Sequence, residues 1–231
     1  LQGVINQAKD LLDKMGGKVL DVQKAHLVEL IQAAEKVVEE EKSDEYYDNT
    51  QILLKAIKVG EAAIELRDSC SGAEEVYEGR DVNEDWASYV NTAADLDNQL
   101  DAAIELLQDK ECTVTELNLM KKSVDEAKDA LLGIWDKLIV TIKPTDKEML
   151  GAEDKVTISS EFDDLQIRYT TDGNDPMWFS DEYTKPFALT KSKETVKAAL
   201  FLGRRQMSAV FTADYVNEVA LGTAESLEQD Y

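Results

Sequence analysis

The residues of this sequence that could do chemistry are its carboxylates and one histidine. A glycosidase needs two acids across a sugar cleft, usually on a large scaffold such as a barrel of about 250 residues, which this chain is too short to hold beside its other elements. Glu84-Asp85 is predicted in the first turn of a helix, where acids stabilise the dipole, and Asp163-Asp164 in a turn before a strand. His26, the single histidine of the sequence, has no recognisable Ser or Cys partner for a hydrolase triad. We therefore predict no catalytic residue and no enzyme.

A turn-rich stretch, YTTDGNDP at 169–176, offers a second kind of chemistry. Asp172, Asn174 and Asp175 carry oxygen atoms that suit Ca²⁺, but the EF-hand pattern with its distal Glu is absent. The commoner role of such side chains is to close a turn on backbone amides. Asp172-Gly173 is also a strong signal for a tight hairpin turn of the primed type, which needs positive φ. We predict a structural turn, with no metal and no cofactor.

The charge balance restricts the partners. The sequence holds 48 acidic and 25 basic residues, a formal net charge of -23. A surface this negative repels nucleic-acid phosphates and anionic lipids, so neither nucleic acid nor membrane insertion is expected. The acids alternate with apolar positions, which favours a solubilising helix surface over an acidic recognition tail. The chain begins with Leu1, which indicates a mature product or a segment of a longer protein.

From residue 1 to about 138 the apolar residues recur at spacings of three and four, as in amphipathic helices. A stripe with a central Ala returns at Leu1, Ile5, Ala8, Leu11 and Leu12, at Leu27, Ile31, Ala34, Val37 and Val38, at Leu96, Leu100, Ala103, Leu106 and Leu107, and more loosely from Met120 to Leu131. The small Ala allows close helix approach, so packing explains the stripe.

These patterns predict five helices in an up-and-down bundle, at about 2–15, 20–42, 45–69, 84–110 and 115–138. The stretch from Ser69 to Asn83, with two glycines, is predicted as the longest loop. Thr113 or Thr115 is expected to cap the last helix, with Glu116 completing a capping box. In this topology Cys70 and Cys112 lie at opposite ends of a helix of roughly 40 Å, too far apart for a disulfide. We predict two free thiols.

After Leu138 the pattern changes to short, β-branched or aromatic runs separated by turn residues. The predicted strands are 138–144, 155–160, 165–171, 195–201 and 208–215, with 183–189 as an edge strand where Pro186 is tolerable. The predicted fold is α+β in two segregated domains, a helical bundle at 1–139 and a small all-β sandwich at 140–216. No Gly, Pro or Ser linker divides them, and Trp86 and Trp135 are assigned to a core or to the domain junction. The tail at 217–231 is either a short helix or partly disordered.

The residues of the β region resemble a known module. IRYTTDGNDP is followed by Ser180, Tyr183 and Pro186, then by TVKAALF at 195–201 and by Gly203, Ser208 and Val210. This series resembles the chitobiase/β-hexosaminidase C-terminal domain and the related fibronectin-III-associated module, in which an I-x-Y-T-x-D-G-x-x-P hairpin precedes a Ser, a Tyr and a Pro. The structural motif residues are Tyr169, Thr170, Asp172, Gly173, Asp175, Pro176, Ser180, Tyr183 and Pro186. The resemblance covers about residues 140–216.

The resemblance implies an immunoglobulin-like sandwich attached to larger secreted carbohydrate-active proteins, often glycoside hydrolases, and common in gut Bacteroidetes. The module is not itself catalytic in that family. The resemblance also implies an extracellular, periplasmic or cell-surface location. The helical half is similar, less specifically, to the small three-helix modules of secreted multi-domain bacterial proteins.

One departure from the family pattern is the run Met177-Trp178-Phe179, where the family has small or polar residues. Trp178 and Phe179 could stack on a sugar ring, or they could pack on the helical bundle or on a neighbouring catalytic domain. We expect a non-catalytic accessory region that acts as spacer and docking surface, with a glycan or that catalytic domain as partner. The alternatives are a carbohydrate-binding module that uses Trp178 and Phe179, and a protein-interaction or adhesin segment that uses the acidic bundle.

Overall fold

The structure is a computed structural model that describes residues 1–78, 85–145, 149–151 and 153–218. The chain forms two compact units. The helical unit consists of Leu1–Val82 and Asn91–Leu132, and the β unit consists of Asn83–Val90 and Gly133–Tyr231. These units are defined by contacts between residues. The predicted domain boundary after residue 139 is not tested by them and stays a prediction. Of the predicted tail at 217–231, Asn217 ends the last strand, and residues 219–231 lie outside the described residues, as does Glu84.

The prediction of five helices followed by a small all-β region is confirmed for the described residues. The α-helices are α1 (Gln2–Lys14), α2 (Asp21–Glu39), α3 (Tyr46–Glu78), α4 (Ala87–Leu107) and α5 (Val114–Gly133). Single 3₁₀ turns lie at Lys18–Leu20, Ser43–Glu45 and Trp135–Lys137. No described helix has the length and apolar character needed to cross a membrane.

The alanine-centred stripes form the core of the helical unit. Ala8, Ala34 and Ala103 are fully buried at 0% exposure, each between buried aliphatic residues of its own helix. Helices α1, α2 and α3 pack on one another. Burial of these alanines between buried aliphatic residues supports packing as the explanation of the stripes, because a small side chain allows close helix approach.

The predicted long loop at 69–83 is wrong over its first ten residues, since α3 continues to Glu78. Leu66, Cys70 and Ala73 are all buried and extend the apolar stripe past Gly72. A glycine costs a helix about 1 kcal/mol, which the burial of this stripe offsets. The second predicted breaker, Gly79, lies outside the described residues.

The predicted start of α5 agrees with the structure, but its predicted end does not. At its start the capping box is present: the Thr113 amide donates to Glu116 Oε2 at 2.8 Å, and the Glu116 amide donates to Thr113 Oγ1 at 3.3 Å. The Thr113 hydroxyl also donates to Glu116 Oε2, at 2.7 Å, and this bond, followed by the one from the Thr113 amide, holds the pKa of Glu116 below its usual value. At its end the helix stops at Gly133 rather than at 138, and the chain tightens into the 3₁₀ turn Trp135–Lys137.

Both cysteines are free and buried, as predicted. Burial raises the pKa of the Cys70 thiol and of the Cys112 thiol to about 11. Both thiols are consequently protonated at neutral pH, the form that is neither a nucleophile nor a metal ligand.

The strands of the β unit are β1 (Thr141–Lys143), β2 (Met149–Leu150), β3 (Thr157–Ser159), β4 (Gln166–Thr170), β5 (Asp181–Glu182), β6 (Lys193–Leu202), β7 (Arg205–Gln206) and β8 (Phe211–Asn217). One sheet pairs β1 with β3, and the other has the order β2-β8-β6-β4-β5, with β7 paired to β6. Val196, Ala198 and Leu200 alternate along β6 and are fully buried. They form the centre of the β core.

The predicted edge strand at 183–189 is wrong in its bounds. The strand that pairs with β4 is β5, at Asp181–Glu182. Phe187 forms only an isolated antiparallel bridge with Val156. Pro186 is exposed between these two points, and because proline has no amide hydrogen it cannot continue a ladder.

Two glycines of α3 give a matched test of the helical core. A Cβ at Gly60 would lie 2.8 Å from Leu11 Cδ2, whereas a Cβ at Gly72 would meet nothing within 4 Å. We expect Gly72→Ala to raise the free energy of unfolding by about 0.5 to 1 kcal/mol through its helix propensity. Gly60→Ala should lower it, because Leu11 is itself buried and must shift, so that the two variants differ by about 1 to 3 kcal/mol in urea unfolding. Equal stability of the two variants would contradict this packing.

Candidate functional site

The turn-rich stretch lies in the loop 171–180, which joins β4 to β5. The prediction of a tight turn of the primed type at Asp172-Gly173, extended by 174–176, is wrong in its length, because the loop between the paired strands β4 and β5 has ten residues, although Gly173 does have a positive φ of 83°. Beyond β4, Asp172 forms a parallel bridge with Thr195 of β6. The chain therefore continues along β6 as far as Asp172, and it has reversed direction by β5.

The polar side chains of this loop are occupied in closing it, as predicted. Asp172 Oδ1 accepts a hydrogen bond from the Asn174 amide at 3.0 Å, and Asp172 Oδ2 accepts from Asn174 Nδ2 at 2.9 Å. These bonds, the backbone one first, lower the pKa of Asp172. Asp175 Oδ1 pairs with Lys197 Nζ at 2.7 Å, and Thr170 Oγ1 donates to the Asn174 carbonyl at 2.5 Å. Among the described residues no group of three His, Cys, Asp or Glu side chains is arranged to hold a metal ion.

The other motif residues shape the base of the loop. The Tyr169 ring stacks on Phe187 at 4.7 Å between centroids and meets Tyr183 edge-on at 6.3 Å. Pro176 is buried. Ser180 closes a turn, because its amide donates to the Met177 carbonyl and its Oγ accepts from the Met177 amide, both at 2.9 Å.

This turn presents Met177, Trp178 and Phe179 to solvent. Their exposed fractions are 50%, 42% and 68%, which is unusual for three consecutive large apolar residues. The Trp178 and Phe179 rings stand nearly perpendicular, at 88° with centroids 5.4 Å apart. Since singly exposed apolar residues are normal but contiguous ones mark interaction sites, this group is the candidate site.

A fourth residue belongs to the same surface. The Arg204 guanidinium carbon lies 4.8 Å from the centroid of the Trp178 ring, a cation–π contact. Arg204 follows Gly203, which has a φ of 58°, in the two-residue turn between β6 and β7. The sequence analysis missed Arg204, and no signal in the sequence links it to Trp178. We call Met177, Trp178, Phe179 and Arg204 the aromatic patch.

The remaining tryptophans lie in a second aromatic cluster within the β unit. Trp86 is fully buried, and its ring lies 5.3 Å from Trp135 and 5.1 Å from Phe162. Tyr89 completes the cluster, 5.9 Å from Trp135. The assignment of Trp86 to a core is confirmed, and this cluster offers no open ring face comparable to the aromatic patch.

One acid of the predicted pairs, Asp164, has clear structural partners. Asp164 Oδ2 accepts the Ser88 amide at 2.7 Å, and Asp164 Oδ1 accepts Trp86 Nε1 at 3.4 Å. Asp164 thus binds the first turn of α4, where the helix dipole favours a negative charge. The prediction that Asp85 lies inside that first turn is wrong, because α4 begins at Ala87 and its N-terminus receives its charge from Asp164 instead.

A cleft of about 1020 Å³ opens beside the loop and is lined by residues that include Thr171, Asp172, Lys191 and Glu194. Its buried polar groups are already bonded. Glu194 Oε2 accepts the Thr190 and Lys191 amides at 2.9 and 3.2 Å, and the Tyr215 hydroxyl donates to the Pro144 carbonyl at 2.8 Å. The cleft is therefore a groove of mixed polar and apolar lining whose acids Asp172, Glu194 and Asp214 are already hydrogen-bonded.

Residues 147–212 match the model of the chitobiase/β-hexosaminidase C-terminal domain. The resemblance seen in the sequence is thereby confirmed for the β region, and the matched family is a non-catalytic one. No curated protein and no solved structure matches the chain.

The aromatic patch lies inside the matched segment, and its side chains should contribute little to stability. We expect Trp178→Ala and Phe179→Ala each to change the free energy of unfolding by less than about 1 kcal/mol, because both residues are exposed, at 42% and 68%, and the contact of Trp178 with Arg204 is a surface one. Phe187→Ala, which removes the stack on Tyr169, should lower it by about 2 to 3 kcal/mol. Thermal or urea unfolding of the three variants measures the difference. A loss at Trp178 or Phe179 as large as that at Phe187 would show that these rings are structural.

Proposed function

We propose that this chain is a non-catalytic accessory region of a larger secreted carbohydrate-active protein, such as a glycoside hydrolase of the β-hexosaminidase type. The observation that carries the proposal is the match of residues 147–212 to the C-terminal domain of that enzyme family. The positions of the acids support it. Asp172 and Asp175 close a turn and Asp164 binds a helix N-terminus, so these carboxylates have structural partners.

The two thiols are compatible with the proposed secreted location. Extracellular and periplasmic compartments oxidise exposed thiols, and oxidation proceeds through the thiolate. Cys70 and Cys112 are 7% and 5% exposed, and the pKa of each is raised to about 11 by burial. Burial would keep both cysteines reduced in such a compartment.

Two measurements test this proposal. The purified chain should hydrolyse a 4-nitrophenyl N-acetylglucosaminide no faster than buffer alone, because the carboxylates that line the cleft beside loop 171–180, Asp172, Glu194 and Asp214, are already hydrogen-bonded within the β unit and glycoside hydrolysis needs two available acids. The complete reading frame that contains the chain should encode a separate catalytic domain. Hydrolysis that exceeds the buffer rate and is lost when the chain is denatured would contradict the proposal. A reading frame without a catalytic domain would also contradict it.

A second candidate function, glycan binding, is favoured by the aromatic patch. Aromatic faces suit the apolar face of a pyranose ring. Arg204 covers one face of the Trp178 indole, so a sugar would have to use the opposite indole face or the Phe179 ring, which is 68% exposed. The perpendicular arrangement of the two rings would give such a sugar one face contact and one edge contact.

For this second function we expect calorimetry or a glycan array to detect binding that Trp178→Ala weakens about tenfold or more, the size expected for a central aromatic contact. Tyr47→Ala is the matched control, because Tyr47 is an aromatic residue of the helical unit with 72% exposure. Equal losses in the two variants would indicate non-specific binding. An array without signal would leave the chain as a spacer and docking region.

A further inference from the structure

The aromatic patch carries a positive charge that no acid of the described chain neutralises. Arg204 is exposed, and beyond its contact with the Trp178 ring it makes no ion pair or hydrogen bond with another described residue. Arg168 of the same unit, by contrast, pairs with Glu182 at 3.3 Å. In a sequence with 48 acidic and 25 basic residues, an exposed arginine without an acid partner is available to an acid from outside.

The contact with Trp178 fixes the place of the Arg204 guanidinium and leaves donors free for a ligand. The guanidinium carbon lies 4.8 Å from the ring centroid, and this cation–π contact restricts the side chain before a ligand arrives. A guanidinium has five N–H donors in a rigid planar fork, and one ring cannot engage all of them. The fork matches the two oxygen atoms of a carboxylate, so a carboxylate is the ligand group that Arg204 fits best.

The apolar part of the same patch lies within reach of this cation. Phe179 is 68% exposed, and its ring centroid is 5.4 Å from that of Trp178. Since Arg204 is 4.8 Å from the same Trp178 centroid, its guanidinium carbon lies within about 10 Å of the Phe179 ring, a separation that a disaccharide spans. A sugar can therefore cover the Phe179 ring while its own carboxylate, or that of the next sugar, reaches Arg204.

The acids that are close to the patch in sequence are placed elsewhere. Asp175 and Glu182 already pair with a lysine and an arginine of the β unit, at 2.7 and 3.3 Å. Asp181 lies opposite Tyr169 in the pairing of β4 with β5. None of these three carboxylates bonds to Arg204, which leaves its guanidinium to the carboxylate of a ligand.

The net charge of the chain decides how many charges that ligand carries. A formal charge of -23 repels a polyanion along its whole length. A single carboxylate is repelled much less, because at physiological ionic strength charges more than about 8 Å away are largely screened. The balance favours one isolated acidic sugar over a heavily charged polymer such as heparin.

We infer that the aromatic patch binds a glycan that carries an isolated carboxylate sugar, a uronic acid or a sialic acid, with the carboxylate on the Arg204 guanidinium and a sugar face on the Phe179 ring. This inference rests on the glycan-binding function proposed above and adds the chemical class of the glycan.

A glycan array of matched pairs tests the inference. Sialyllactose stands beside lactose, and a β-glucuronide stands beside the corresponding β-glucoside, so the two acidic arms show which carboxylate sugar is used. The chain should bind at least one acidic glycan about three- to tenfold more tightly than its neutral partner, the size of one exposed charge-assisted pair. Raising the ionic strength from 0.1 to 1 M, which shortens the screening length from about 10 to about 3 Å, should reduce this preference.

Variants of Arg204 separate its fork from its charge. Arg204→Gln should abolish the preference for the acidic glycan and leave binding of the neutral one in place. Arg204→Lys keeps the charge without the fork and should retain only part of the preference. Lys193→Gln is the matched control, because it removes the same charge from an exposed position at the other end of β6, roughly 30 Å away along the strand. This control should keep the full preference.

A measurement on the unmutated chain stands beside these variants. The Nε–H signal of Arg204 in nuclear magnetic resonance spectra, identified by its loss in Arg204→Gln, should shift when the preferred acidic glycan is added and stay in place with its neutral partner. An unchanged signal at saturation with the acidic glycan would overturn the inference.

The array distinguishes failure of this inference from failure of glycan binding itself. Equal binding of acidic and neutral glycans, a stronger response to heparin or to sulfated lactose than to the carboxylate arms, or an equal loss in Lys193→Gln would overturn the inference and leave glycan binding standing. An array without any signal would overturn both together.

Discussion

The β unit depends on the pairing of β6 with its two neighbours. Over its length β6 pairs with β4 from Lys197 to Phe201 and with β8 from Lys193 to Ala198. The fully buried residues Val196, Ala198 and Leu200 share one face of this strand. A slip of one residue would move all three to the other face, so the core fixes the register.

The same register positions the candidate site. Thr195 of β6 bridges Asp172, and Lys197 holds Asp175, so one part of β6 anchors the start of the loop 171–180. The far end of β6 leads into the turn that carries Arg204, which lies over Trp178. The aromatic patch is thus built from two turns that are separate in sequence but are both attached to β6. A surface held at two points on one central strand is pre-organised for binding, since less conformational freedom is lost when a partner arrives.

Periodicity and turn chemistry predicted much of this architecture, and the failures have physical causes. The five helices and their buried alanines followed from spacing, and the capping box at Thr113 and Glu116 from local sequence. Gly72 was misread as a helix end because burial of Cys70 and Ala73 outweighs the propensity of one glycine. Asp172-Gly173 was misread as a tight hairpin because its bridge to Thr195 is a non-local contact. The contacts of Arg204 with Trp178 and of Asp164 with Ser88 join residues far apart in the chain, so no local sequence pattern predicts them.

In the turn that carries the aromatic patch, the interactions that hold the backbone do not involve the exposed side chains. Ser180 bonds to both the amide and the carbonyl of Met177, and Pro176 is buried beside it. Neither interaction involves the side chains of Met177, Trp178 or Phe179, which extend into solvent. The backbone of the turn can therefore stay the same whether small polar or large aromatic residues occupy these positions. Large apolar residues here gain only partial burial from folding, since 42 to 68% of each stays exposed, and they leave apolar surface in water, which a partner that covers them would offset. That argument favours a contact surface over a structural role for Met177-Trp178-Phe179.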